Sequence, residues 1–322
     1  MGDTPLDVTG VKTFFVVPDL SLFPEENLRH FCLQGFESYF LEADQYCPLE
    51  SKIDILFSIF QQVILFFNID REVHGIDWPS YIRSLQKKYG ERAMIGVMYC
   101  KRNNFEEVRW LERLYLYDIG IVCGCISLEY QKAKNLSLFM NVLIANQANG
   151  QRKHIRAICD SGFKMNMMYR GKQFLGCLRD ISISHFSCVF QGECPELPLH
   201  EKVYDMQMSL HGVLMKVNAV FCLKRVIVNG EISVFVFRSS DDREGLDPDL
   251  MVKVNGVIFN SLQACMMYRL KAEFDNERQR RLRERQEKIA AHLAPEDLVP
   301  NSKAAEKLVK ELDVAKLLET IG

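Results

Sequence analysis

Two short stretches decide how the chain is read: residues 151–160, QRKHIRAICD, and residues 178–186, LRDISISHF. The first sets Arg152 and Arg156 four residues apart, just ahead of a run of β-type sequence. The second sets Asp180 and Ser182 between two segments of strand character, about one hairpin further on. Arginine's planar fork offers two parallel N–H donors, which suits phosphate and the O6/N7 edge of guanine. Lys153 and His154 between the arginines add positive character. A carboxylate accepts from paired N–H groups such as N1 and N2 of guanine, while a hydroxyl serves either way. Taken singly, the first stretch reads as a solvated basic linker, and the second as an Asx- or Ser-stabilised turn.

Upstream, residues 1–146 alternate β-rich runs with helical spacing, which predicts a doubly wound parallel sheet of five strands and five helices. VKTFFVVPD, ESYFLEAD, VILFFNID, AMIGVMYC and IVCGCISLE read as its strands. VILFFNID is apolar throughout, as suits a strand covered on both faces. Between them lie helical patterns such as NFEEVRWLERLYLYDIG, with Asn104 as its cap and Gly120 as its stop. NQANGQRK is polar and glycine-bearing, and marks a boundary near residue 147.

Downstream the pattern is β throughout. GFKMNMMYR and KQFLGCLRD flank a turn at Gly171, and Asn229-Gly230 in VIVNGEISVFVF signals a type I′ hairpin. Some six antiparallel strands between residues 147 and 260 predict a small barrel behind the linker. A charged helix follows over residues 261–294, entered from LDPDL, and then a tail over 295–322 with Pro295, Pro300 and a short amphipathic helix. NERQRRLRERQEK within that charged helix mixes six basic with three acidic residues. Such mixing reads as a solvated helix, or functionally as a partner-binding or self-associating one. It lacks the interleaved aromatics of a single-strand nucleic-acid binder.

Composition narrows the function classes. With 322 residues and a net charge of −2, the chain has material for two cores and no global pull toward nucleic acid, so any anion site is local. Eleven scattered cysteines read as reduced thiols of a cytoplasmic protein. No secretory signal is visible, and Leu6 spoils a myristoylation motif at Gly2. The most apolar window, IDILFSIFQQVILFFNID, is broken by Gln61 and Gln62 and is too short for a membrane span. Cys123-x-Cys125 falls inside an expected buried strand, and the other cysteines lack the spacing of a zinc site. No Walker motif, dinucleotide fingerprint or nucleophile elbow occurs, so neither an enzyme nor a resident cofactor or metal is expected.

In their order around a barrel, R-x-x-x-R (Arg152, Arg156) and D-x-S (Asp180, Ser182) resemble the PilZ domain family over about residues 150–260. The resemblance implies a six-stranded barrel that binds the bacterial second messenger cyclic di-GMP. By it the arginines contact phosphates and guanine edges, Asp180 and Ser182 hold a guanine, and the following helix packs on the barrel. His185 departs from the pattern, standing where the family usually has glycine. A position needing positive φ or close ligand approach would be hindered there by a side chain; alternatively the imidazole stacks on a base.

The N-terminal domain resembles a response-regulator receiver. That resemblance implies a phosphoacceptor at Asp70, at the end of the third strand. Only Asp19 follows the first strand, Tyr99 or Cys100 replaces the hydroxyl residue, and CISLEY offers no lysine, so a docking pseudo-receiver is expected and Asp70 is vestigial. Two functions follow as expectations. One is a receptor in which cyclic di-GMP orders the linker on the barrel and alters interdomain or partner contacts, with a protein partner met through the C-terminal helices and a homodimer possible. The other is a ligand-independent adaptor in which both domains serve only as interaction surfaces.

Overall fold

A computed structural model describes residues 10–227 and 230–292. The first part alternates strictly: β1 (Lys12–Val16), α1 (Glu25–Leu33), β2 (Ser38–Leu41), α2 (Leu49–Ile59), β3 (Val63–Asn68), α3 (Trp78–Tyr89), β4 (Ala93–Cys100), α4 (Phe105–Glu112), β5 (Cys125–Leu128) and α5 (Lys132–Ala145). The strands pair in parallel in the doubly wound order β2-β1-β3-β4-β5. Helices cover both faces, so KTFFV and VILFFN are buried at every position and need no polar alternation. Phe15 centres the core, with the rings of Phe23, Phe31, Phe66 and Phe139 at 4.6 to 5.9 Å. Gly96 on β4 makes room for one of them, because a Cβ there would lie 2.6 Å from the Phe66 ring.

Asn104 does cap α4, accepting from the N–H groups of Glu106 and Glu107. Past Glu112 the helix widens into a π-helical segment, Arg113–Ile119, closed by Gly120 at φ 82°. The wider turn buries Tyr115 while Tyr117 is left 80% exposed. Cys123 is buried as expected but lies ahead of β5, which begins only at Cys125. Gly124 breaks the strand pattern between them, with φ at +80°.

The second part is β6 (Ala157–Ile158), β7 (Phe163–Tyr169), β8 (Lys172–Ile181), β9 (His185–Phe190), β10 (Lys202–Leu210), β11 (Val213–Ile227) and β12 (Gly230–Arg238). Six of these close into an antiparallel barrel in the ring order β8-β7-β10-β11-β12-β9, since β9 pairs back onto β8. Closure leaves no open edge around the ring. Alternating residues fill the interior, among them Phe163, Met165, Met167, Leu178, Phe186 and Phe235. Arg170-Gly171 and His211-Gly212 make two-residue turns with positive φ at both positions, the geometry that suits the twist of hairpin strands. β11 and β12 also pair as a hairpin, but Gly230 opens β12 opposite Ile227 and so is not the second turn residue that the reading of Asn229-Gly230 expects; Val228 and Asn229 themselves lie outside the described residues.

One helix, α6 (Pro248–His292), follows, so the expected division at residue 260 falls inside it. Val254 and Ile258 enter the barrel core and Phe259 the sheet core. Cys32 of α1 lies in the barrel core as well. Gln263 protects the sheet edge: its carboxamide accepts from the Phe40 N–H at 3.0 Å and donates to the Phe40 carbonyl at 2.9 Å. The sheet, the barrel and α6 up to Leu270 form one compact unit. No membrane span is expected from the sequence, yet Pro248–Lys288 is long and apolar enough to cross a membrane by length and composition, the one such helix among the described residues. Its Val254, Ile258, Phe259, Met266 and Leu270 are buried within the fold. From Lys271 onward the helix belongs to a second unit and carries i,i+4 pairs, Glu277–Arg281 and Arg280–Glu284. The tail over 295–322 lies outside the described residues.

Candidate functional site

The linker is held at two points. Gly35, at φ +88°, ends α1 in a six-to-one and five-to-two pair of hydrogen bonds, Phe36 N–H to the Phe31 carbonyl and Gly35 N–H to the Cys32 carbonyl. A Cβ on Gly35 would lie 3.1 Å from the Lys153 carbonyl oxygen, so the linker backbone runs against this helix end. Four residues later β6 pairs with the end of β8, Ala157 opposite Ile181 and Ile158 opposite Asp180. That pairing brings Arg156 beside Asp180, with Nη1 3.9 Å from Oδ1. Arg152 is exposed.

Asp180 faces outward from β8 because the ladder with β9 shifts register between Leu178 and Asp180, a bulge of the kind that re-aims a side chain. Its Oδ2 accepts from the Ser187 hydroxyl at 2.6 Å. Ser182 is only 1% exposed. Its hydroxyl donates to the His185 carbonyl at 3.1 Å and accepts from the His185 N–H at 3.0 Å. Ser182 therefore fixes the turn between β8 and β9 from within.

His185 opens β9 opposite Val236 and has no positive φ. The position can thus carry a Cβ without backbone strain, and its departure from glycine acts through the imidazole alone. That ring sits 2.8 Å from the Ser184 hydroxyl through Nδ1. Burial holds its pKa below the ordinary 6.5 and Arg156 adds to the effect, against the opposing pull of Glu244 and Asp180. His154 is half-buried between the two arginines in sequence. Burial, then Lys153 and His185, hold its pKa below 6.5 and favour the neutral ring. Its Nδ1 is buried without a hydrogen-bond partner among the described residues. Nothing in the spacing R-x-x-x-R singles out this middle residue; only its burial does.

At the C-terminal edge of the parallel sheet, Asp70 follows β3, where the sequence puts it. Its carboxylate accepts from the Cys100 N–H at 2.5 Å and is paired with Arg102, which also reaches Glu107. Asp19 is held below the usual carboxylate range by hydrogen bonds from the Ser21 hydroxyl and N–H, with Arg71 a lesser cause. The Cys100 thiol is pushed up to about 11 by burial and by Asp70. No cluster of three or more His, Cys, Asp or Glu able to hold a metal ion occurs among the described residues.

No protein-family model matches the sequence, and no curated protein matches it. Solved structures do. A PilZ domain with c-di-GMP of YcgR from Escherichia coli is 13% identical over 37% of this chain and 96% of that one, with a TM-score of 0.31. The K. pneumonia MrkH–c-di-GMP complex is 12% identical over 38% of this chain and 57% of that one, with a TM-score of 0.32. Borreliella burgdorferi PlzA in complex with c-di-GMP is 14% identical over 40% of this chain and 48% of that one, with a TM-score of 0.23. The chain thus spans about half the length of the latter two.

Proposed function

We propose that the chain is a PilZ-type receptor for cyclic di-GMP, bound where the linker meets the outer face of the barrel. Carrying this reading is the 3.9 Å approach of Arg156 to Asp180, two residues from separate motifs that meet on one surface. In it Arg152 and Arg156 engage the phosphates and guanine edges, Asp180 accepts from guanine N–H groups, and Ser182 holds the turn that presents His185. The ligand would tighten an already seated linker and change the surface offered to a protein partner through the C-terminal helix, in the cytoplasm of a bacterium. The N-terminal domain would serve as a docking pseudo-receiver. Its strand order and the position of Asp70 support this, while Arg102 and the Cys100 N–H already engage that carboxylate.

Titration calorimetry of the full chain with cyclic di-GMP tests the proposal. Heat at micromolar protein is expected, weakening at raised salt because phosphate contacts are screened. Arg156→Ala should weaken binding at least about tenfold, as loss of a charge-assisted hydrogen bond is worth ~1.5–3 kcal/mol. Absence of binding by the folded chain would sink the receptor reading. One observation favours the second reading, a ligand-independent adaptor: Asp180 already has partners in Ser187 and Arg156. The same null titration would support it.

A further inference from the structure

We propose that the outer face of α4 is a self-association surface, against which a second copy of the chain lays its own α4 antiparallel about a two-fold axis; this goes beyond the receptor reading and does not depend on ligand binding. Three observations carry it. The first is what the face exposes. Of the chain's two tryptophans, Trp78 is buried and its indole N–H donates to the Arg71 carbonyl at 2.7 Å, whereas Trp110 is 60% exposed. Glu106, Trp110 and Arg113 follow one another at i, i+4 and i+7, with Arg109 beside Trp110, so the four share one helix face, and all are exposed. Exposed Tyr117 carries the stripe into the π-helical segment. Trp, Tyr and Arg gathered on one surface are the composition of an interface centre.

The second observation is that the charges on this face are unspent. Glu106 and Arg109 stand three apart, a spacing at which an exposed helix makes ion pairs. Yet none of Glu106, Arg109 and Arg113 forms one among the described residues, and Arg109 lies over the Phe105 ring at 4.4 Å instead.

The third is that the order of the stripe complements itself. In an antiparallel pair that sets Arg109 of one copy opposite Trp110 of the other, Glu106 falls opposite Arg113. Two-fold symmetry makes each contact occur twice, giving two arginine–tryptophan contacts at the centre flanked by two Glu–Arg pairs. A register about one turn later would set Arg109 against Arg113, so like charge disfavours that slip. Two helical segments of this length bury less than ~1,200 Å² in all, the range of transient complexes, so a dimer with a Kd in the micromolar range is expected.

The experiment is sedimentation velocity of the full chain from about 1 to 100 μM, with urea melts to confirm that each variant folds. Wild type should pass from monomer to dimer across that range, and less readily at raised salt. Arg113→Glu and Glu106→Arg should each weaken the dimer at least about tenfold, since either reversal turns two attractions into two repulsions across the axis. The double variant Glu106→Arg/Arg113→Glu should restore it, because the exchanged pairs attract again. Trp110→Ala should weaken it at least about tenfold as well. A wild type that stays monomeric throughout would overturn the proposal and leave this face to a different protein. So would a dimer that neither single reversal weakens, which would place self-association elsewhere on the chain, or a folded double variant that stays as weak as the singles.

Discussion

Replacing Gly35 by alanine tests whether the linker is seated on the end of α1. Gly35 and Gly120 both close helical segments at positive φ, +88° and +82°. They differ in what a Cβ would meet: the Lys153 carbonyl at 3.1 Å for Gly35, and nothing within 4 Å for Gly120. A left-handed alanine costs roughly 1–2 kcal/mol, and the stiffer unfolded chain returns about 0.4–1 kcal/mol. Gly120→Ala should therefore destabilise by about 0.5–1 kcal/mol. Gly35→Ala carries that cost and must also shift the linker backbone by a few tenths of an ångström, so its total should be about 2 kcal/mol, within the range of overpacking changes. Urea midpoints of the two variants against wild type give the difference. Trypsin gives a second readout, because cleavage after Arg152, Lys153 and Arg156 should quicken in Gly35→Ala only. Equal destabilisation of the two variants within about 0.3 kcal/mol, with unchanged cleavage, would refute the seating of the linker.

Gln263→Ala removes both hydrogen bonds to Phe40 on the sheet edge and should cost ~1–3 kcal/mol in urea melts, the range for leaving part-buried backbone groups unpaired; a loss below about 0.5 kcal/mol would mean that water replaces the carboxamide. His154 and His185 both have folded-state pKa values below the ordinary 6.5. As pH falls below that value the unfolded chain binds protons that the folded chain does not, so stability should fall as pH drops below about 6.5. His154→Asn combined with His185→Asn should flatten that slope in urea midpoints recorded against pH, and an unchanged slope would assign it to other groups.

Much of the architecture was legible along the chain. The alternation of FFVV-, VILFFN- and AMIGVMYC-type runs with amphipathic helices states a sheet covered on both faces, because burial on two sides removes the need for polar alternation. Asn104 and Gly120 mark their segment because orphan N–H and C=O groups at helix ends demand particular residues. The π-helical widening at Arg113–Ile119 was not legible, since LERLYLYDI carries the same apolar spacing for either winding. At the site, the type and order of Arg152, Arg156, Asp180, Ser182 and His185 could be read directly. Their present relations could not. Whether position 185 needs glycine depended on its φ, and whether Ser182 offers its hydroxyl outward depended on the turn that consumes it.

Sequence by itself determined the elements, their caps and turns, and which residue types lie near one another along the backbone, because these follow from local sterics and from which face of each element shuns water. Tertiary structure alone decided that β9 closes onto β8, that α6 and Cys32 join the sheet and barrel cores, and that a two-residue pairing of β6 carries Arg156 to Asp180. It also decided that burial holds the pKa of His154 below its ordinary value. These outcomes depend on strand register and on desolvation by residues distant in sequence, and neither leaves a period or a spacing in the chain.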